Sequence, residues 1–400
     1  MAGNLRKCFL KISVFISYYL FYFYALNKNY SKIVFGFKDT KRSSGLIDTE
    51  DKLLQYLKIE KNIRIEEYYN YSLENNYKYK FDYQLFSEPK LEILRNEYAL
   101  EKLVEPGRNE LAKFEILQDW VRRQWEYGYP GKLSRDYDAI DILRKAKRGG
   151  KFWCSEYAVV FIQCALSLGY QARYVALGKG HVIAEIWSNE YKKWVIMDPT
   201  FNIHFERQAI PLNCLDLFDS FNGNQIGEIC VIEGNYKPED ICIKFGEHEL
   251  VGISIKNYRH KTMDYYAGGF SVRMRNDWFT NKYPKLHPKG NMVTNSITWI
   301  GSKGRAAITN EQKDIYFPLN VTTIGLERTK GGNFGFNIFL NTFTPNFSHY
   351  IVSVDEKQKE TTESNSIGWV LHKGKNAFKV TSVNKFGVKG VNSFISLFLE

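Results

Sequence analysis

The chain has 400 residues, 44% hydrophobic and 25% charged, a balance that excludes a disordered or collagen-like protein and leaves room for two or three folded domains. Lys and Arg outnumber Asp and Glu 55 to 44, a net charge of +11 that favours anionic partners and has no bearing on fold. Six cysteines without a CxxC pair exclude a disulfide-scaffolded miniprotein, and the seven scattered histidines form no HExxH couple, so no metal or cofactor is expected.

The amino terminus carries Arg6 and Lys7, then runs from Phe9 to Leu26 with Lys11 as its only charge. This pattern predicts an uncleaved signal anchor over residues 1–30, with a cleaved signal peptide second and a buried helix third. Either export reading places the bulk of the chain outside the cytoplasm, anchored in a membrane or secreted. Residues 31–105 are charged and rich in Tyr and Asn, and read as helix with extended connectors. From Asn109 to Trp125, Leu111, Phe114, Leu117, Val121 and Trp125 recur at helical spacing behind Pro106-Gly107. A shorter helix is expected over Asp138 to Ala146, ended by Gly149-Gly150. The basic run Arg144, Lys145, Lys147, Arg148 and Lys151 reads first as the solvated end of that helix, with attraction of an anionic substrate as the alternative.

Cys154 then opens a helix that is apolar on every side as far as Leu168, the pattern of a buried central helix, and Gly169 suits the left-handed residue that ends it. Strands are predicted at Arg173 to Leu177, His181 to Trp187 and Trp194 to Asp198, completing a core over residues 106–235. A connector of unknown type (236–300) contains Arg275-Asn276-Asp277-Trp278 and Lys282-Tyr283-Pro284. Residues 301–400 hold short β-rich runs at regular spacing, separated by turn signals such as Lys373-Gly374 and Phe386-Gly387, and predict an all-β sandwich. Gly331-Gly332 reads as a hairpin turn, because no helix follows it to cradle a phosphate. No nucleic-acid-binding motif accompanies the positive charge, so no nucleic-acid partner is expected.

The chemistry follows from position. A thiol at the start of a helix meets unpaired N–H groups and the positive end of the helix dipole, which favour its thiolate; Cys164, inside the same helix, lacks both and reads as packing. A hairpin turn centred on Asn189-Glu190 would pair Trp187 with Lys192, Glu185 with Trp194, Ile183 with Ile196 and His181 with Asp198. That register sets an imidazole beside a carboxylate. Cys154 is thus the expected nucleophile, His181 its base and later acid, and Asp198 the group that orients the imidazole. The N–H of Cys154, with Trp153 as candidate second donor, would hold the oxyanion. Glu185 and Tyr157 are cleft-lining candidates, and His204 reads as a loop residue. The bland alternatives are an inert buried thiol, a core histidine and a strand-ending aspartate.

Three motif blocks carry a resemblance. They are Gly150-x-x-x-Cys154-x-Glu156-Tyr157-Ala158 with Gly169-Tyr170-Gln171-Ala172-Arg173, then His181-x-x-x-Glu185, then Trp194-x-x-x-Asp198-Pro199-Thr200. In this order they resemble the transglutaminase-like superfamily, whose fold is related to papain-like cysteine proteases, over about residues 107–205. The bulky Phe152-Trp153 before the cysteine departs from the small residues many members carry. The runs Trp369 to Asn376 and Val383 to Gly387 resemble the final strands of fibronectin III or immunoglobulin-like domains. The resemblance implies an α+β chain: a papain-like transglutaminase core, with the cysteine-bearing helix packed on an antiparallel sheet, followed by a β-sandwich. It implies attack on an amide carbonyl of a protein, peptide or other amide-bearing substrate. Family members act as peptide or amide hydrolases, deglycosylating amidases, cross-linking glutamine acyltransferases or inactive binding modules. Hydrolysis is the preferred expectation here, because no amine-acceptor site is identifiable; acyl transfer and a non-catalytic envelope-associated interaction module are the alternatives.

Overall fold

The computed structural model describes residues 50–57, 62–71, 81–128, 138–178, 180–223, 225–236, 241–245, 248–253, 266, 269–279, 296–299, 308–329, 334–357 and 359–400. The expected anchor (1–30), Lys282 to Pro284 and the Gly331-Gly332 turn lie outside them. Among the described residues, no helix is long and apolar enough to cross a membrane.

The centre of the core is the helix Cys154–Ser167, buried continuously from Glu156 to Ser167 because its side chains are apolar on all faces. Helices Pro89–Glu97, Glu110–Arg122 and Ala139–Ala146 cover one side of it with Leu91, Leu94, Phe114, Leu117, Ile142 and Leu143. Their starts are locally encoded. Asn109 accepts from the Ala112 N–H at 2.8 Å, and Asp138 from the Asp141 N–H at 3.0 Å. Gly169 ends the central helix at φ +88°, and a Cβ there would meet the Phe386 ring at 2.8 Å, so this glycine serves both a turn and a close approach.

The other side of the helix rests on a six-stranded sheet. Its spatial order is Ile308–Thr309, Ser296–Trp299, Phe270–Arg273, Ala172–Leu177, Val182–Ser188 and Lys193–Met197. Neighbours are antiparallel except the two-residue edge bridge at Ile308–Thr309, which is parallel. Alternation divides the strands cleanly. Val182, Ala184, Ile186, Val195 and Met197 face the central helix, whereas Ile183, Trp187, Trp194 and Ile196 face a second apolar cluster.

The elements packed around the central helix include some from outside residues 106–235. Phe270–Arg273 and Ser296–Trp299 come from the expected connector, and Pro89–Glu97 from the expected amino-terminal segment. Strands of four residues, with Phe270–Arg273 buried throughout, offer no period-two signature to read.

The carboxy-terminal region is β-rich. Thr322–Arg328, Gly335–Thr342 and Ser366–Val370 form one antiparallel sheet, and a five-stranded sheet carries Phe347–Val354, Glu360–Thr362, Gly374–Asn384 and Ser393–Leu399. Both bury a shared cluster that includes Ile324, Phe336, Ile338, Trp369, Phe378, Val380 and Ile395. The remaining edge strand is Ile63–Tyr69, with Ile63 opposite Leu399, so residues far upstream of 301 complete this region.

Candidate active site

The site is assembled at one rim of the core sheet. His181 immediately precedes Val182–Ser188 and Asp198 immediately follows Lys193–Met197, so the antiparallel pairing brings both to the same end. The first turn of the central helix supplies the third group. Cys154, a half-buried free thiol, is its first residue. Its N–H has no carbonyl one turn earlier to receive it.

The helix start is tied by a carboxylate. Glu156 Oε2 accepts from the Trp153 N–H at 3.1 Å and from the Ser155 hydroxyl at 2.7 Å. Burial pushes the Glu156 carboxyl up to about 7, against the opposing pull of those donors. Because the Trp153 N–H is already donated to Glu156, it is removed as a second oxyanion donor through its backbone.

His181 Nε2 lies 2.7 Å from Asp198 Oδ2, and the Cys154 side chain also hydrogen-bonds the imidazole, which leaves Nδ1 for the thiol. The ring is buried and rests against Phe201 at 4.9 Å. Burial works against the charged imidazole, but the charge and hydrogen bond of Asp198, together with Cys154, outweigh it and push the group up to about 10. Asp198 is fully buried. Its Oδ1 accepts from the N–H groups of Thr200 at 3.1 Å and Phe201 at 3.2 Å, and its Oδ2 also accepts from the Tyr266 hydroxyl at 3.0 Å.

The hairpin that delivers these groups differs in register from the simple turn. Trp187 pairs with Trp194, Glu185 with Ile196 and Ala184 with Met197, a displacement of two residues. The loop is longer, running from Asn189 to Lys192 between the paired Ser188 and Lys193, with Lys192 in the left-handed conformation (φ +52°). The Glu110 carboxylate secures the loop by accepting from Ser188 Oγ, Asn189 Nδ2 and the Glu190 N–H. A two-residue displacement keeps side chains on their original faces, so His181 and Asp198 meet as diagonal neighbours rather than directly opposed ones.

Both cleft-lining candidates are packing residues instead. Glu185 is fully buried: Oε2 accepts from Arg173 Nη2 at 2.7 Å and Nε at 3.0 Å, and Oε1 from the Cys214 N–H at 2.9 Å and the Tyr316 hydroxyl at 2.8 Å. Arg173 in turn lies 4.0 Å over the Trp194 ring. A strand charge with a partner directly across the ladder is drawn into the interior rather than solvated. Tyr157 is also fully buried, stacked on Trp125 at 4.3 Å, donating to the Trp125 carbonyl at 2.7 Å and accepting from Arg122 at 3.0 Å. His204 sits buried on the strand Ile203–Arg207, 3.2 Å from Glu206 and 3.7 Å from Glu115, and not in a loop. Acids answer much of the basic run: Arg144 and Lys147 face Glu97, and Lys151 faces Glu126. Cys214 and Cys230 are free thiols.

Two residues of the site escaped sequence reasoning. Tyr266 lies in the unassigned connector with no surrounding pattern. Trp125 is buried with no partner for its Nε1, its ring 5.5 Å from that of Phe152 and 4.3 Å from that of Tyr157, residues that lie shortly before and after Cys154 in sequence. Its helical spacing was visible, but periodicity reports burial and not an unused donor. Among the described residues, no cluster of three or more His, Cys, Asp or Glu side chains is arranged to hold a metal.

Comparison with known proteins agrees with this arrangement at the level of the domain. Residues 98–199 match the family model of the transglutaminase-like superfamily, and the core is a transglutaminase-like domain of α+β type. A 67-residue stretch, 17% of this chain, is 34% identical to peptide-N(4)-(N-acetyl-beta-glucosaminyl)asparagine amidase of Gallus gallus. The match spans 10% of that protein's length.

Proposed function

We propose that this protein is a thiol-dependent amidase in which Cys154, His181 and Asp198 act together. The imidazole held between a thiol and a buried carboxylate is the observation that carries the reading. Cys154 Sγ adds to the amide carbonyl carbon as its proton passes to His181. The imidazolium then gives that proton to the departing amine, the C–N bond breaks, and a thioester remains. Water, deprotonated by His181, hydrolyses the thioester and restores the thiol. Asp198 stabilises the imidazolium at each charged stage.

In this reading the tetrahedral oxyanion is received by the Cys154 N–H at the helix start and by the indole N–H of Trp125, a buried donor without a partner whose ring packs against Phe152 and Tyr157. Similarity to a deglycosylating amidase favours hydrolysis over acyl transfer and points to a side-chain amide bearing a sugar. The apolar run at residues 9–26 supports a membrane anchor that keeps this activity outside the cytoplasm.

The test is turnover of an asparagine-linked N-acetylglucosaminyl peptide, read by mass spectrometry as conversion of asparagine to aspartate. Cys154→Ala should lose on the order of a thousandfold or more in kcat. Undiminished turnover by that variant overturns the proposal. Incorporation of a fluorescent primary amine into a glutamine-bearing acceptor would instead make the enzyme an acyltransferase.

A further inference from the structure

The carboxylate of this site has a second buried partner that the mechanism above leaves unused. Tyr266 is 1% exposed, and its ring packs edge-on against Phe205 at 4.9 Å. Its hydroxyl donates to Asp198 Oδ2 at 3.0 Å, the same oxygen that faces His181 Nε2 at 2.7 Å. The other oxygen, Oδ1, is already held by two backbone N–H groups, from Thr200 and Phe201. Those two bonds, with the strand end, fix the rotation of the carboxylate without help from the phenol.

What the phenol changes is the charge available at Oδ2. A carboxylate oxygen that accepts from two donors presents less negative charge to each. We propose that Tyr266 is a positioning residue of the active site, acting through Asp198: its O–H shares Oδ2 with the imidazole and limits how tightly the carboxylate holds the imidazolium. The inference rests on the proposed amidase mechanism, in which His181 must surrender its proton to the leaving amine.

Asp198 and Cys154 raise the His181 group, and Tyr266 faces Asp198. An imidazolium held too firmly is a poor general acid, because proton transfer is most effective when the acid's pKa lies near the working pH. With the group already pushed up to about 10, any further strengthening of the Asp198 contact is counterproductive. A donor that competes for the same oxygen is the available remedy.

The experiment uses the full chain and Tyr266→Phe, which keeps the ring against Phe205 and removes only the hydroxyl. The primary readout is the pH profile of Cys154 alkylation by iodoacetamide, followed peptide by peptide by mass spectrometry; it needs no substrate. The expected result is that the upper inflection, which reports loss of the imidazolium proton, moves up by about one pH unit while the lower inflection stays. Turnover of the glycosylated asparagine peptide should fall about fivefold in kcat with KM unchanged.

An unmoved or lowered upper inflection overturns the inference, as does a uniform loss of alkylation and turnover at every pH, the mark of a merely structural role. Should Tyr266→Phe fail to fold, fluorotyrosine incorporated at 266, a stronger donor of the same shape, must move the inflection down; its absence of effect is equally adverse. A shifted profile in a protein that turns over no amide would retain the inference and discard the amidase reading. Cys154-dependent turnover with an unshifted profile would do the reverse.

Discussion

Replacing Glu156 by glutamine should make the protein more stable at alkaline pH and leave it unchanged in acid. Glu156 is 4% exposed, two residues after the nucleophile, with both of its neighbouring donors directed at a single oxygen. Burial raises its carboxyl from 4.5 to about 7, and no cation is among the causes that act on it. The sign follows from proton counting. Between these two values the unfolded chain has released the proton that the folded chain still holds, so stability falls as pH rises. The slope is about 1.4 kcal/mol per pH unit, and over the interval the loss reaches about 3 kcal/mol. The contribution is therefore fully present below 4.5 and gone above about 7. Glu156→Gln retains the size of the side chain and an acceptor for the Trp153 N–H and Ser155 hydroxyl, yet never ionises. Urea unfolding from pH 4 to pH 8, analysed at constant m, should show wild type and variant coinciding in acid and separating by about 3 kcal/mol in the variant's favour at pH 8. A gap that does not vary with pH, or one that favours the wild type at pH 8, would refute the reasoning.

Other consequences are open to direct measurement. Glu185→Ala leaves Arg173 as an uncompensated buried charge and strips acceptors from the Cys214 N–H and Tyr316 hydroxyl; unfolding midpoints should report a loss of about 3–5 kcal/mol. At pH 6, iodoacetamide should label Cys154 well before Cys164, whose thiol is fully buried and pushed up by that burial; equally slow labelling of both would favour a binding module over an enzyme. Tyr157→Phe deletes the hydroxyl that bridges Arg122 and the Trp125 carbonyl, costing about 1–3 kcal/mol of stability in a thermal or urea melt, and a larger drop in kcat than in alkylation rate would trace the Trp125 indole to the oxyanion. Gly390→Ala drives a Cβ into the Asn320 carbonyl and should lower stability by about 1–3 kcal/mol, whereas Gly149→Ala meets no atom and suffers only from its positive φ.

What the sequence made readable here was whatever is encoded within one turn or one pleat. The central helix announces itself because Ala158, Val159, Phe161, Ile162 and Ala165 leave no polar face, and its end because Gly169 follows. Its neighbours begin where Asn109 and Asp138 can cap them. Contacts that depend on chain pairing at a distance were not readable. Tyr266 reaches Asp198 across 68 positions, and Ile63–Tyr69 completes a sheet whose other strands lie near the far end of the chain. Nothing local marks either, because a lone tyrosine and a short alternating strand have many equally acceptable destinations.

The hairpin lies between these cases and shows why the juxtaposition of His181 and Asp198 could be anticipated although the register could not. Register depends on loop length, and here the loop contains a left-handed Lys192 and is held by the Glu110 carboxylate. Side-chain face depends only on parity along the strand. A displacement of two residues alters every directly opposed pair and exchanges no face, so the imidazole and the carboxylate still converge. A displacement of one residue would have turned Asp198 toward the central helix and Met197 toward the imidazole. Deleting a single residue from the loop Asn189–Lys192 should consequently abolish fast Cys154 alkylation, while deleting two should largely preserve it. Equal loss in both deletion variants, each still showing a cooperative melt, would mean that parity is not what brings these two side chains together.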